Sequence, residues 1–202
     1  MSFRGHQSLI LPDGSTSDGW ETYICAHCGT KVSGAVVGLY SWEGSHGYEH
    51  SNKWLLCTHC TKPSAKFNNT IFPDPPFGPI IQGLPSEVSE SYNEARLCMG
   101  VNAYTASELI CRKILMHVAV DKGANEGEPF ASYLTYLESN GYITPPMKGW
   151  VDLIRQHGNK STHKLYAPEK ERAQSTVMFT AELLRLIYEM EYMANKFTYD
   201  QP

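Results

Sequence analysis

The pattern of apolar and polar positions changes once along the chain, near Pro85. Before that point the apolar residues come in short β-prone runs, Glu21-Thr-Tyr-Ile24, Val36-Val-Gly-Leu-Tyr40 and Lys53-Trp-Leu-Leu56, bounded by turn residues. Such runs read as strands. After Pro85 the apolar positions recur at helical spacing. A first helix starts near Ser86, taken as its N-cap, carries Val88, Tyr92, Ala95 and Met99 on one side, and ends at Gly100. A second runs from after Asn102 to about Lys122, with Ala103, Ala106, Ile110, Ile114 and His117 along one stripe. A third spans about Pro129 to Asn140, with Phe130, Leu134 and Leu137 inward and Gly141 as its stop. A fourth opens at Pro145-Pro146 and carries Trp150, Leu153 and Ile154. The last is long, from about Pro168 to Phe197, with Val177, Thr180, Leu184, Ile187 and Glu191 spaced along it. The predicted fold class is mainly α: a helical bundle of four or five helices preceded by a small β-rich module.

Composition sharpens the boundaries. Residues 1–20 are polar and turn-rich and read as an arm; residues 21–66 form the β-rich module; residues 67–84 are a linker; residues 85–202 are the helical domain. The linker carries Pro73, Pro75, Pro76 and Pro79, which make it stiff and extended. Phe67, Phe72, Ile80 and Ile81 are its candidate anchors to the helices. The formal net charge is -4, with five basic and six acidic residues before Leu84 and twelve and fifteen after it. Neither part is basic, which argues against broad binding to duplex phosphate. Residues 1–20 lack the apolar core of a secretory leader, so none is expected, and no apolar run reaches the roughly 18 residues that cross a membrane. The expectation is a cytoplasmic protein without membrane contact.

Four of the six cysteines form two pairs, Cys25-x-x-Cys28 and Cys57-x-x-Cys60, separated by 28 residues. Two residues between cysteines let one turn present both sulfurs to the same ion, and two such knuckles close a tetrahedral thiolate site. Cys25, Cys28, Cys57 and Cys60 are therefore expected to hold one structural zinc in a module of the zinc-ribbon kind. With four thiolates present, His27 and His59 inside the knuckles are expected to point away from the metal. His46 and His50 read as a loop tip. A module of this size buries too little apolar surface by itself, so the metal should supply much of its stability. Lys31, Lys53, Lys62 and Lys66 lend it some positive charge, and Trp42 and Trp54 could stack on bases; for Trp54, packing around the small core is the preferred reading.

The densest chemistry in the helical part is Arg155-Gln-His-Gly-Asn-Lys-Ser-Thr-His163, with no acid between Asp152 and Glu169. If the fourth helix passes through Gly158, then Arg155, Asn159 and His163 fall four residues apart on one face. If glycine stops it, Asn159 and Ser161 or Thr162 cap the next segment; Gly-Asn is a frequent helix end, and the break is slightly favoured. An arginine that clamps phosphate and a histidine that moves a proton could cleave RNA without metal. The competing reading has these polar groups satisfying backbone at a helix end, with Arg155 on Asp152.

Leu84-Pro85, Tyr92-Asn-Glu-Ala95, Cys98, Ala106, Arg112 and Ile154-Arg155-Gln-His-Gly158-Asn159 with His163 together resemble domain-of-unknown-function family 4145, and the two knuckles plus proline-rich linker resemble the zinc-ribbon extension of some of its members. That family is similar to the HEPN superfamily of helical domains. The resemblance implies an RNA-binding domain or a metal-independent endoribonuclease of a defence or toxin system, active as a homodimer. Arg155 would bind phosphate, His163 would be the catalytic histidine, and Asn159 would orient them. The alternative is a non-catalytic adaptor that dimerises through its helices and binds a protein through its ribbon. Two departures stand out. Seven residues separate Arg155 from His163, more than active HEPN ribonucleases carry. Arg112 is followed by Lys113-Ile-Leu115-Met116 where the family pattern reaches a leucine-glutamate pair, which leaves Arg112 without that partner.

Overall fold

A computed structural model describes residues 9–10, 16–17, 19–43, 49–161 and 168–199. The chain divides into two compact units, residues 1–76 and 77–202.

The first unit is an antiparallel meander. Strands β1 (Leu9–Ile10) and β2 (Thr16–Ser17) pair with each other. Strands β3 (Trp20–Ile24), β4 (Lys31–Glu43), β5 (Glu49–Leu56), β6 (Pro63–Phe67) and β7 (Thr70–Phe72) form one sheet in sequence order. The first cysteine pair joins β3 to β4 and the second joins β5 to β6; their registers, Ile24 opposite Lys31 and Leu56 opposite Pro63, make each knuckle the turn of a hairpin. Residues 67–72, placed in the linker by the sequence reading, contribute to β6 and β7. His50 sits in β5 opposite Trp42, not in a loop tip, and His46 lies outside the described residues.

The sheet is curled. Glu21 on β3 reaches Lys53 on β5 at 2.7 Å and Lys66 on β6 at 2.5 Å. Three strand spacings in a flat sheet would put β3 and β6 about 14 Å apart, so the strands wrap around a common inner face. That face holds a small core of Tyr23, Val32, Val36, Leu55 and the four cysteines, with Ile71 against it. Tyr23 lies so close over Gly34 that a side chain there would collide with its ring.

The second unit is helical: α1 (Ser86–Gly100), α2 (Tyr104–Asp121), α3 (Phe130–Ser139), a 3-10 turn (Pro145–Met147) leading into α4 (Lys148–Ser161), α5 (Lys170–Leu184), a π-turn (Arg185–Glu189) and α6 (Met190–Tyr199). The last three are consecutive and correspond to the single long helix expected from the sequence. Helix α2 is central, packing on α1, α3 and α5. One core contains Val88, Tyr92, Leu115, Val118, Leu134, Leu137, Val151, Val177, Phe179 and Leu184, all 2% exposed or less.

Several side-chain assignments change. Ser86 is the first residue of α1 and not its cap; its hydroxyl donates to Glu87. On α2 the buried positions are Ser107, Glu108, Cys111, Ile114, Leu115, Val118 and Ala119, while His117 is exposed. The inward stripe is rotated because Ser107 and Glu108 are polar yet buried, each with a partner: the Ser107 hydroxyl donates to the Ala95 carbonyl at 2.9 Å, and Glu108 binds Arg172. Leu153 and Glu191 are exposed; Val151 and Ile154 carry the inner face of α4. Helix α4 runs through Gly158 to Ser161, against the expected break. One glycine costs a helix only about 1 kcal/mol, and this helix is anchored upstream in the core.

Ile81 is buried with the helices, whereas Ile80 is 80% exposed. The segment before α1 is strapped down by Arg96, which donates to the Phe77 and Gly78 carbonyls, and by Tyr92, whose hydroxyl donates to the Pro79 carbonyl. Phe67 and Phe72 stand on the sheet, each more than two-fifths exposed.

Candidate functional site

The cysteine cluster forms because the two knuckles repeat one backbone design. In the first, the Gly29 amide donates to the Cys25 carbonyl and the Cys25 amide to the Thr30 carbonyl; in the second, Thr61 donates to Cys57 and Cys57 to Lys62. The residue after each pair has positive φ, +69° at Gly29 and +60° at Thr61. Glycine adopts this conformation freely, whereas a β-branched threonine does so only under constraint. The pairing of Ala35 with Leu56 sets β4 and β5 side by side, and the turns meet at one end of the sheet.

The four sulfurs lie within 4.8 Å of one another, and none is in a disulfide. Cys25 and Cys60 sulfurs are 3.7 Å apart, and those of Cys28 and Cys57 3.9 Å. A tetrahedral ion with metal–sulfur bonds of about 2.3 Å requires an edge of about 3.8 Å, which these two separations match, and all four sulfurs could hold one ion. Titration is uneven in the bare thiols: burial pushes Cys25 up to about 12, while hydrogen bonds from Thr30 bring Cys28 down to about 6. Four thiolates this close repel one another unless a cation lies between them. His27 is exposed, and its Nε2 is 3.0 Å from the Pro63 carbonyl, tying one knuckle to the start of β6. His59 is exposed as well.

Part of the charge expected on this unit is offset where the structure places it. Lys53 and Lys66 both pair with Glu21, and together they hold its carboxyl below the usual range. Trp54 is 46% exposed and stands outside the small core, with its indole across Gly38. Strand register sets Gly38, Trp54, Ala65 and Phe72 in one row across β4 to β7, on the face opposite the cysteines. The side chain of Trp42 lies outside the described residues.

In the helical unit, Arg155 is engaged by acids. One guanidinium nitrogen donates to Asp152 at 3.2 Å, and another to Glu138 at 3.1 Å and to the Thr135 hydroxyl at 3.3 Å. Lys148 also binds Glu138, at 3.2 Å, and Lys148 and Arg155 together lower its carboxyl below the usual range. Arg155 thus bridges α4 to α3 through side chains rather than backbone. Asn159 follows one turn later on the same helix; its side chain, and His163 entirely, lie outside the described residues.

A second charged cluster had no signal in the helix stripes read from the sequence. Arg172 donates from Nε and a terminal nitrogen to the two oxygens of Glu108, both at 2.8 Å. Arg112, one turn after Glu108, lies with its guanidinium carbon 4.4 Å from the centre of the Phe130 ring. The absent glutamate after Arg112 in the sequence was the one hint that this arginine stands without a carboxylate.

No helix among the described residues is long and apolar enough to cross a membrane. No curated protein and no solved structure matches the chain. A family model described as Domain of unknown function (DUF4145) matches residues 93–199, more than half of the 202 residues and almost all of α1 to α6. The chain belongs to that family.

Proposed function

We propose that this chain is a zinc-stapled, HEPN-like interaction module that works by binding rather than by cleaving RNA. The observation that carries this reading is the engagement of Arg155. A guanidinium already bonded to Glu138 and Asp152 offers a phosphate little free positive charge, and it would have to leave both acids to clamp one. The exposed row of Trp54 and Phe72, with Lys53 and Lys66 paired to Glu21, favours an apolar protein partner over a polyanion at the sheet. Zinc is the metal that best suits four thiolates at tetrahedral spacing in a structural site; mononuclear iron, the other ion of such sites, would colour the purified protein, and metal analysis separates the two. A homodimer formed by the helical unit belongs to the same reading.

A ribonuclease is the second reading, and the unbroken helix favours it: continuity through Gly158 keeps Arg155 and Asn159 one turn apart, with His163 four residues further on. The deciding experiment compares labelled RNA incubated with the wild-type protein and with an Arg155→Ala, His163→Ala double variant, each with and without EDTA. The interaction-module reading expects the same background with both proteins. Cleavage by the wild type that survives EDTA and disappears in the double variant would establish the ribonuclease instead.

A further inference from the structure

Among the described arginines, Arg112 stands apart. Arg96, Arg155, Arg172 and Arg185 each donate hydrogen bonds to carbonyl or carboxylate oxygens. Arg112 is half-buried on α2 and, among the described residues, has neither a hydrogen bond nor an ion pair; its contact there is the face of Phe130 at the start of α3. The carboxylate one turn earlier, Glu108, is turned away from it, because both of its oxygens accept from Arg172. The charged groups that Arg112 feels are that carboxylate and the second guanidinium. Two arginines therefore share one acid, and the surplus positive charge sits on the half-buried group with its donors unfilled.

None of the Arg112 nitrogens is both fully buried and unpartnered, so the free donors reach solvent, and an arginine there stays protonated. Stacking on an aromatic ring fixes the guanidinium plane and leaves its nitrogen edge free, the arrangement that suits two parallel bonds to an oxyanion. Arg155 is a poor candidate for that task, since acids already fill it. We propose that Arg112, stacked on Phe130 beside Arg172, is an anion-recognition point that takes one phosphate group, carried by a free nucleotide or by the end of an RNA strand. This assignment goes beyond the interaction-module reading and does not depend on whether RNA is cleaved.

The test is calorimetric titration of the full metal-loaded chain with inorganic phosphate, ATP, and an RNA oligonucleotide bearing either a 5′-phosphate or a 5′-hydroxyl. Citrate serves as the carboxylate control. The wild type is expected to bind at least one phosphate probe, and Arg112→Gln to weaken that binding at least tenfold. Lys113→Gln, which removes the same charge from an exposed neighbour, is expected to change it less than twofold. Arg112→Lys keeps the charge but loses the fork and should weaken binding at least threefold; with Phe130→Leu it carries the test if Arg112→Gln does not fold. ATP binding with no preference for 5′-phosphorylated RNA assigns the site to nucleotides, and the reverse assigns it to RNA ends. Absence of binding to every phosphate probe, equal losses at positions 112 and 113, or tighter binding of citrate overturns the proposal.

Discussion

Arg172 and Glu108 meet through two parallel N–H···O bonds of 2.8 Å across 64 positions of sequence, and so tie the first turn of α5 to α2. Both side chains are mostly buried, 17% and 11% exposed. Removing one member of such a pair leaves its partner's charge uncompensated, whereas an apolar replacement of both can be nearly neutral. Glu108→Ala is expected to cost about 3 kcal/mol, more than Arg172→Ala, because it leaves Arg172 unpaired and also removes the carboxylate whose field favours the Arg112 charge. A Glu108→Leu, Arg172→Met double variant should recover most of that loss. Urea denaturation followed by helical circular dichroism measures all three; equal midpoints for wild type and Glu108→Ala would refute the clamp.

Metal removal should separate the two units. Four cysteines make up much of the first unit's small core, whereas the helical core contains none of them. A chelator, or Cys57→Ser, is expected to abolish the ordered environment of Trp20 and Trp54 while the helical dichroism changes little. Tryptophan fluorescence and circular dichroism on one sample report both, since Trp150 is the only tryptophan after Pro76. Concurrent loss of the helices would show that the metal supports more than its own sheet.

The two knuckles differ in one residue of consequence. Thr61 occupies a left-handed conformation that Gly29 adopts in the other turn. Thr61→Gly should relieve strain of about 1–2 kcal/mol, offset in part by the greater chain entropy of glycine. The net gain expected is about 0.5–1 kcal/mol, read as roughly two- to fivefold tighter metal retention against a competing chelator. Gly29→Thr should weaken retention by a similar factor or more.

Alkaline pH should unfold the helical unit through its tyrosines. Burial raises the phenols of Tyr92 and Tyr188, and at Tyr188 the Asp121 carboxylate, 3.0 Å away, raises it further. A raised folded value means that the neutral phenol is favoured in the native state. That stability is fully present below the ordinary tyrosine value of about 10 and is lost as pH rises above it. Denaturation midpoints measured from pH 8 to 12 should fall above 10, and the fall should be shallower in a Tyr92→Phe, Tyr188→Phe variant. Parallel curves for the two proteins would refute the assignment.

What could be read from the chain depended on how local each cause is. Cysteines three apart constrain one turn, so the thiolate cluster was legible from spacing alone. The helices were legible because their apolar positions repeat within each segment. The face of α2 was not, since Ser107 and Glu108 are buried only because Ala95 and Arg172 satisfy them from elsewhere. For the same reason Lys53 and Lys66 looked like unpaired charge: Glu21, which pairs with both, lies 32 and 45 positions away and meets them only once the sheet curls. The acids holding Arg155 divide in the same way: Asp152, three residues away, was foreseen, while Glu138, on another helix, was not.

The π-turn at Arg185–Glu189 gives the last helix a phase of its own. A π-turn holds one residue more than the α-helical path needs. Closing that turn as ordinary α-helix with every residue kept would swing α6 by about 100°, one residue's rotation in a 3.6-fold helix, and Met190, Met193 and Phe197, now exposed, would aim elsewhere. Deleting a single residue there instead lets the ladder close while α6 keeps its present face. A one-residue deletion thus removes the bulge without turning the surface that helix presents.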